Sequence, residues 1–297
     1  MIWTRRDFLR AGGVAGAAAL ATTGLLAACT EVPKSGAGGT LARIKDAGVV
    51  KIGIAGEVPY GFTQNGQVTG EAPEVAKAVF KAMGIDRVEA TQVEFSQLIP
   101  ALNASQYDMV AAGMAILPDR CKNAQFSAVD YVTPTALLVP KGNPQRINTF
   151  EDVKARGVAL AVLSGTVEEA VAQELGIPAG NIQPYRGQPE MFQALRDQRA
   201  YCGALTDISL RRMLADNPGA PLEVTPGFVP EVNGEKRIQA GGFVFRPGDD
   251  DLVESFNTEL KKLQDNGEWL RIVKPFGFTE DNLVPDDVTT EKLCAAA

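Results

Sequence analysis

Hydrophobic and polar residues alternate along this chain in the pattern of repeated strand and helix units. Val49–Ile54 is a short run of β-forming residues, and the segment 71–83 that follows carries apolar residues at helical spacing. Similar runs continue through the chain, so the pattern predicts an α/β fold with a mainly parallel sheet. Strands are predicted at 49–54, 88–93, 109–112, 158–163, 182–185 and 243–245, and helices at 71–83, 95–102, from 149 onward, 166–175 and 252–264.

The order of these elements predicts two similar α/β lobes. A second set of strands and helices begins near Thr149, and the strand at 243–245 with its following helix returns to the first set. We expect extended crossings near 135–139 and 239–243. The expected division is 42–136 and 241–297 for lobe 1, with 137–240 for lobe 2. Before the first long helix, Asn65-Gly66 predicts a type I′ hairpin turn.

The first 29 residues have the features of an export signal. Thr4–Arg10 contains paired arginines, an Ala/Gly-rich apolar run fills 11–28, and Leu26-Ala27-Ala28-Cys29 has the pattern of a lipoprotein cleavage site. A membrane-spanning helix is the alternative, but alanine and glycine supply little hydrophobicity for a span. We therefore expect a twin-arginine signal at 1–28, a lipid on Cys29, a flexible tether at 29–41, and a protein anchored to the outer face of the cell membrane.

Charge and composition narrow the function. Removing the signal takes away three arginines and one aspartate and changes the formal net charge from -7 to -9, which disfavours nucleic acid as a partner. The chain has no histidine, so it lacks Ser-His and Cys-His nucleophile pairs and histidine-based zinc sites. We expect no metal, no cofactor and no enzymatic activity.

Three cysteines remain after Cys29, an odd number for an oxidising compartment. One disulfide and one buried thiol are expected. Cys202 lies in an apolar, strand-like stretch that suits a small buried residue. Cys121 and Cys294 are therefore the favoured pair.

Two local patterns suit a cleft that binds an anion. Gly165-Thr166 follows a predicted strand and opens a helix, and Thr166 and Glu169 have the spacing of a capping box. Free N–H groups at such a helix start bind a carboxylate, although a capped helix with no ligand explains the pattern equally well.

Arg120 lies just beyond a predicted strand and a turn. From that position a guanidinium can bind a carboxylate through two parallel hydrogen bonds. The alternative is a surface ion pair with Asp119 or Asp130.

Together these stretches resemble the extracellular solute-binding proteins of ABC importers that handle polar amino acids and related compounds. Within that branch the chain is most similar to ectoine- and hydroxyectoine-binding proteins. The resemblance spans 49–278 and implies two hinged lobes that close over one small zwitterionic solute, a membrane permease as partner, and a monomer. The stretches that carry the closer likeness are 55–60, 98–102, 117–121 and the tail 289–296.

The resemblance also implies roles for individual residues. Arg120 matches the arginine that holds the solute carboxylate, with backbone N–H groups from Gly113, Gly165 and Thr166 directed at the same anion. Glu57 matches the acid that accepts from the cyclic amidinium of ectoine. The implied aromatic walls of the ring site are Tyr60 and Phe95.

Departures from the wider family bear on the ligand. Thr206 stands where binders of α-amino acids have an aspartate, which argues for a solute without an α-ammonium group. Asp207, one residue away, is the alternative partner of an ammonium. Ala115 falls where a further aromatic wall is expected, and Phe62 is a candidate to complete it.

Two alternative functions stay open: a protein that binds a polar or cationic amino acid through Asp207 or Glu57, and a dehydratase that uses Glu57 as general acid.

Overall fold

The structure is a computed structural model that describes residues 39–295. The expected signal, Cys29 and most of the expected tether lie outside the described residues. A helix, α1 (Gly39–Ala47), is the first described element. Residues 39–41 of the expected tether are therefore helical. Among residues 39–295, no helix is both long and apolar enough to cross a bilayer.

The first sheet forms the centre of what we call lobe 1. Its central strands run parallel, and one late strand returns antiparallel beside them. The strand order is β4 (Arg87–Gln92), β1 (Val49–Ile54), β5 (Met109–Ala115), β15 (Gln239–Phe245) and β6 (Gln125–Phe126), with β7 (Tyr131–Thr133) also paired to β15.

The second sheet forms the centre of lobe 2. It combines parallel pairs with two antiparallel ones. The strand order is β10 (Ile182–Tyr185), β9 (Leu160–Leu163), β11 (Cys202–Thr206), β8 (Thr135–Pro140) and β12 (Leu222–Val224). Two separate hairpins are formed by β2 (Phe62–Gln64) with β3 (Gln67–Thr69), and by β13 (Glu231–Val232) with β14 (Glu235–Lys236).

Helices cover both faces of each sheet. Besides α1, those of lobe 1 are α2 (Glu71–Ala82), α3 (Leu98–Asn103), α4 (Pro118–Cys121), α9 (Asp250–Asp265), α10 (Glu268–Val273) and α11 (Thr290–Ala295). Those of lobe 2 are α5 (Phe150–Arg156), α6 (Val167–Glu174), α7 (Gln188–Arg196) and α8 (Asp207–Ala215). Short 3-10 helices occupy Phe95–Gln97, Ala179–Asn181, Lys274–Phe276 and Glu280–Asn282.

Each sheet has an apolar core on each of its faces. In β5, Met109 and Ala111 pack into one core of lobe 1, whereas Val110 and Ala112 pack into the other. This alternation follows from the two-residue period of a strand, and a strand buried on both faces is apolar throughout. The chain is thus a two-lobed α/β protein with three layers in each lobe.

The chain changes sheet at two places. It passes from lobe 1 to lobe 2 between Thr133 and Thr135, and it returns at Gln239. The boundaries expected from the sequence, 136/137 and 240/241, lie two residues inside β8 and β15.

Most predicted elements are present with ends shifted by a few residues. Asn65 and Gly66 have φ values of 52° and 75°, as the predicted type I′ turn requires. The helix predicted from Phe95 instead begins with a 3-10 turn. The strand predicted from Val158 begins at Leu160, where pairing with β10 starts.

Candidate functional site

A small cavity lies between the two lobes where several strands end. Its volume is about 30 Å³, counted as the space open to the centre of a water molecule, and one water needs about 10–15 Å³ on that scale. The lining residues are Glu57, Tyr60, Phe95, Gly113, Ala115, Arg120, Thr166, Val167, Glu168, Leu205, Thr206 and Gln239.

The fold explains why these residues meet. Glu57 and Tyr60 lie in the turn after β1, and Thr166 follows β9 at the start of α6. The carboxyl ends of parallel strands lie at one edge of a sheet, which is where open α/β sheets place their ligand sites. Here the corresponding edges of the two lobes face each other across the cavity.

Arg120 projects from the short helix α4 and bridges the lobes. One guanidinium nitrogen donates to the Ala115 carbonyl at 2.8 Å, and the other donates to the Gly165 carbonyl of lobe 2 at 2.7 Å. The guanidinium carbon lies 5.2 Å from the centre of the Phe95 ring, a cation–π distance. A guanidinium has five N–H donors, so three remain after these two bonds.

The expected alternative partners of Arg120 are engaged elsewhere. Asp119 pairs with Lys122 at 2.6 Å, and Asp130 accepts from the Trp269 indole at 2.7 Å. Burial lowers the pKa of Arg120 to about 10, although Glu168 raises it, so the guanidinium remains charged at neutral pH. The interpretation of Arg120 as one half of a surface ion pair is therefore wrong.

Glu57 also lines the cavity and is buried, with 8% of its surface exposed. Burial raises the pKa of its carboxyl from the usual 4.5 to about 7, while the hydrogen bond from Ser209 lowers it. That bond runs from Ser209 Oγ to Glu57 Oε1 at 2.8 Å. A cation placed beside a buried carboxyl of this kind stabilises its charged form and lowers its pKa.

Tyr60 forms part of a buried aromatic cluster under the cavity. Its ring stacks on Tyr131 at 5.3 Å and meets Phe278 edge-on at 5.9 Å. Its hydroxyl donates to Thr206 Oγ1 of lobe 2 at 3.0 Å. Gly113 has a φ of 62°, and a Cβ on it would lie 2.3 Å from the Tyr60 ring, so glycine is required for this close approach.

The predicted capping box at the start of α6 is wrong. The Thr166 hydroxyl donates to the Leu163 carbonyl at 2.8 Å, and the Thr166 N–H also points to Leu163. Glu169 instead accepts from the Gly165 N–H at 2.7 Å. In this conformation the Gly165 N–H is occupied, and what Gly165 presents to lobe 1 is its carbonyl.

Two residues expected at the cleft differ in their placement. Thr206 lines the cavity and caps α8 by accepting from the Ser209 N–H at 3.4 Å. Asp207 does not line the cavity, because it accepts from Thr133 Oγ1 at 3.1 Å and pairs with Arg211 at 3.3 Å. It therefore lies beside the crossing between the lobes.

The missing aromatic wall is not supplied by Phe62. That residue belongs to β2 and pairs with Thr69 of the hairpin, whereas Ala115 itself lines the cavity.

The sequence interpretation missed Glu168, a second buried carboxyl in the cavity. Its Oε1 accepts from Gln239 Nε2 at 2.7 Å. Burial raises its pKa, whereas the hydrogen bond from Gln239 and the charge of Arg120 lower it. A glutamate in the first turn of a helix is ordinary helix chemistry, so no local signal identified it.

A disulfide lies directly behind Arg120. It joins Cys121 in α4 to Cys294 in α11, with Cα atoms 5.7 Å apart, and Cys202 is free and buried. This is the pairing expected from the sequence. The bond fastens the C-terminal helix to the short helix that carries the arginine.

Comparison with known proteins identifies the family. A profile of bacterial extracellular solute-binding proteins, family 3, matches residues 50–279, which is most of the chain. The chain belongs to this family. Among curated relatives, the "Probable amino-acid ABC transporter periplasmic-binding protein y4tE" of Sinorhizobium fredii is 31% identical over 261 residues, covering 86% of each chain.

Solved structures agree on the fold. The crystal structure of EhuB in complex with hydroxyectoine matches with a TM-score of 0.78 and 30% identity, covering 87% of this chain and 98% of that one. An ancestral arginine-binding protein bound to arginine matches with a TM-score of 0.70 and 27% identity, covering 78% and 99%. This family 3 protein is therefore an extracytoplasmic solute-binding protein of an ABC importer for amino acids or related solutes.

Proposed function

We propose that this family 3 protein captures ectoine or hydroxyectoine by lobe closure and delivers it to the permease of an ABC importer. We further propose that a lipid on Cys29 anchors it outside the cytoplasm and that it acts as a monomer. Glu57, Tyr60, Phe95 and Arg120 contact the solute from lobe 1, and Thr166 and Thr206 contact it from lobe 2.

The observation that carries this proposal is the pairing of opposite charges across one cavity. Arg120 offers free guanidinium donors for a carboxylate, and Glu57 offers a buried acceptor for a cation. Ectoine has a carboxylate on a ring that carries a delocalised amidinium with N–H donors. Phe95 and Tyr60 add aromatic surface for the ring, at about 0.5–2 kcal/mol for each cation–π contact.

The position of Thr206 favours a solute that lacks an α-ammonium group. Thr206, a neutral residue, lines the cavity, whereas Asp207 is engaged by Thr133 and Arg211 outside it. A primary ammonium beside Thr206 would find no counter-charge on that residue, so it would depend on Glu57 or Glu168, the two carboxyls that line the cavity. The relative whose crystal structure contains hydroxyectoine is consistent with this choice.

Glu168 favours a second candidate, a cationic amino acid. With Glu57 and Glu168 ionised against Arg120, the cavity carries one net negative charge, which complements a solute such as arginine. The arginine-bound ancestral relative supports this alternative. In that case Glu168 and Glu57 share the two cationic groups of the solute.

Calorimetric titration of the chain from Thr30 onward distinguishes these candidates. We expect one-to-one binding of ectoine or hydroxyectoine with a dissociation constant in the micromolar range or below. A micromolar constant corresponds to a binding free energy of about -8 kcal/mol. Glutamine and arginine should give no heat of binding. Arg120→Ala should weaken binding by about 10- to 150-fold, the value of a charge-assisted contact of about 1.5–3 kcal/mol. Arg87→Ala, an exposed arginine paired with Glu89 on the same lobe, is the matched control.

If only arginine binds, the proposed solute becomes a cationic amino acid instead of ectoine, and the role in an ABC importer is unchanged. The dehydratase alternative is tested in the same samples, because an enzyme consumes the solute. We expect the solute to be recovered unchanged after prolonged incubation. Loss of solute that depends on Glu57 would instead identify that residue as a general acid.

A further inference from the structure

One turn of lobe 1 makes several hydrogen bonds to lobe 2. Glu57 accepts from Ser209 at 2.8 Å, and Tyr60 donates to Thr206 at 3.0 Å. Between them, the Val58 N–H donates to Gln188 Oε1 at 2.9 Å, and Gln188 Nε2 donates to the Val58 carbonyl at 2.8 Å. The first two bonds involve residues that line the cavity, whereas Val58 and Gln188 do not line it.

Gln188 is suited to hold the lobes together. It is the first residue of α7 and only 8% of its surface is exposed. Its amide oxygen and one amide N–H pair with the N–H and the carbonyl of one residue, without any contact to the cavity. The neighbouring interlobe pair of Arg186 and Glu94 is separated by 3.6 Å and exposed, and such a pair contributes little.

These two bonds exist only while the lobes are together. When the lobes separate, the Gln188 amide and the Val58 peptide group are solvated instead. The pair therefore changes the equilibrium between open and closed states without contacting the solute.

We propose that Gln188 is a positioning residue that clamps the Val58 peptide and thereby sets the closed population of the protein. It also holds the turn that presents Glu57 and Tyr60 to the cavity. The inference rests on the proposed capture by lobe closure, but it does not depend on which solute is captured. Losing two hydrogen bonds of ordinary strength should lower the ratio of closed to open protein by about 10- to 30-fold.

Two substitutions separate hydrogen bonding from packing. Gln188→Met keeps the length of the side chain and its helix propensity but has no amide, and Gln188→Ala removes both amide and volume. Gln193→Ala is the matched control, because Gln193 lies on the same helix and bonds Asp197 within lobe 2. Thermal unfolding verifies that each variant is folded.

The first readout needs no solute. A nitroxide label on Glu94→Cys, next to Arg186 of lobe 2, broadens the amide signals of Arg186, Gly187 and Glu190 in proportion to the closed population. We expect Gln188→Met and Gln188→Ala to reduce this broadening and Gln193→Ala to leave it unchanged. Unchanged broadening in Gln188→Met would overturn the proposal, since it would show that the hydrogen bonds do not set closure.

The second readout is dissociation of hydroxyectoine or arginine, whichever binds the wild-type protein. We expect both Gln188 variants to weaken affinity by about 10- to 30-fold, mainly through faster dissociation. An effect confined to Gln188→Ala would assign the role to packing and overturn the proposal. If neither solute binds wild type, the ectoine and arginine assignments fail, while the broadening experiment still decides the role of Gln188.

Discussion

Replacing Glu57 by glutamine removes a buried carboxyl whose ionisation opposes folding. The folded protein raises the pKa of this carboxyl from the usual 4.5 to about 7, chiefly through burial. A raised acid pKa means that the folded state binds the proton more tightly than the unfolded state does. The stabilising effect of that proton is fully present below about pH 4.5 and is lost as the pH rises through about 7.

The size of the effect follows from the two pKa values. Their difference of about 2.5, at about 1.36 kcal/mol for each pH unit, corresponds to about 3 kcal/mol. A glutamine at this position would have no charge at any pH and would still accept from Ser209 Oγ through its amide oxygen. We therefore expect Glu57→Gln to gain about 3 kcal/mol of stability relative to wild type between about pH 4 and pH 9.

Urea denaturation of both proteins across this pH range measures the difference in the free energy of unfolding. Glu71 and Asp130, a buried carboxyl pair behind Tyr60, also have raised pKa values, so only the difference between the two proteins isolates Glu57. A difference that stays constant with pH would refute the reasoning. The same substitution should abolish the increase in solute affinity that we expect for wild type as the pH rises through 7.

Two further predictions concern the groups that support the site. Gly113→Ala should lower the free energy of unfolding, measured by urea denaturation, by about 2–4 kcal/mol and weaken solute binding. Its Cβ would lie 2.3 Å from the Tyr60 ring, and the backbone there has a positive φ. Gly84→Ala, with positive φ but no atom within 4 Å, should lose about 1 kcal/mol, and equal losses would contradict the clash. Replacing Cys121 and Cys294 by serine should lower the free energy of unfolding by up to about 5 kcal/mol, because the disulfide links residues 173 positions apart. It should also weaken solute binding, since the disulfide holds α4, the helix that carries Arg120. An unchanged urea midpoint and an unchanged solute affinity would contradict this prediction.

Local sequence patterns identified the elements that depend on local physics. The continuous apolar run of β5 follows from burial of the strand on both faces, and the Asn65-Gly66 turn follows from positive φ; both agree with the structure. Strands of two or three residues, such as β6 and β7, are too short to show a period. The helix α7 was missed as well, and it carries Gln188.

The parts of the site that escaped prediction depend on contact between distant segments. Gln188 meets Val58 across 130 residues of chain, and Glu168 meets Gln239 across 71. Neither side chain is unusual in its own segment. The capping pattern at Thr166 failed for a local reason instead, because the Thr166 hydroxyl donates to the Leu163 carbonyl and Glu169 accepts from the Gly165 N–H. Resemblance supplied Glu57 and Arg120, whereas the burial of these residues and their contacts with lobe 2 exist only in the folded chain.

A crystal structure of the protein with bound hydroxyectoine tests the central claim most directly. The account predicts that the solute carboxylate lies within hydrogen-bonding distance of the Arg120 guanidinium. The ring N–H groups should face Glu57, with the ring between Tyr60 and Phe95. A solute bound outside this cavity, or one whose carboxylate faces away from Arg120, would contradict the account.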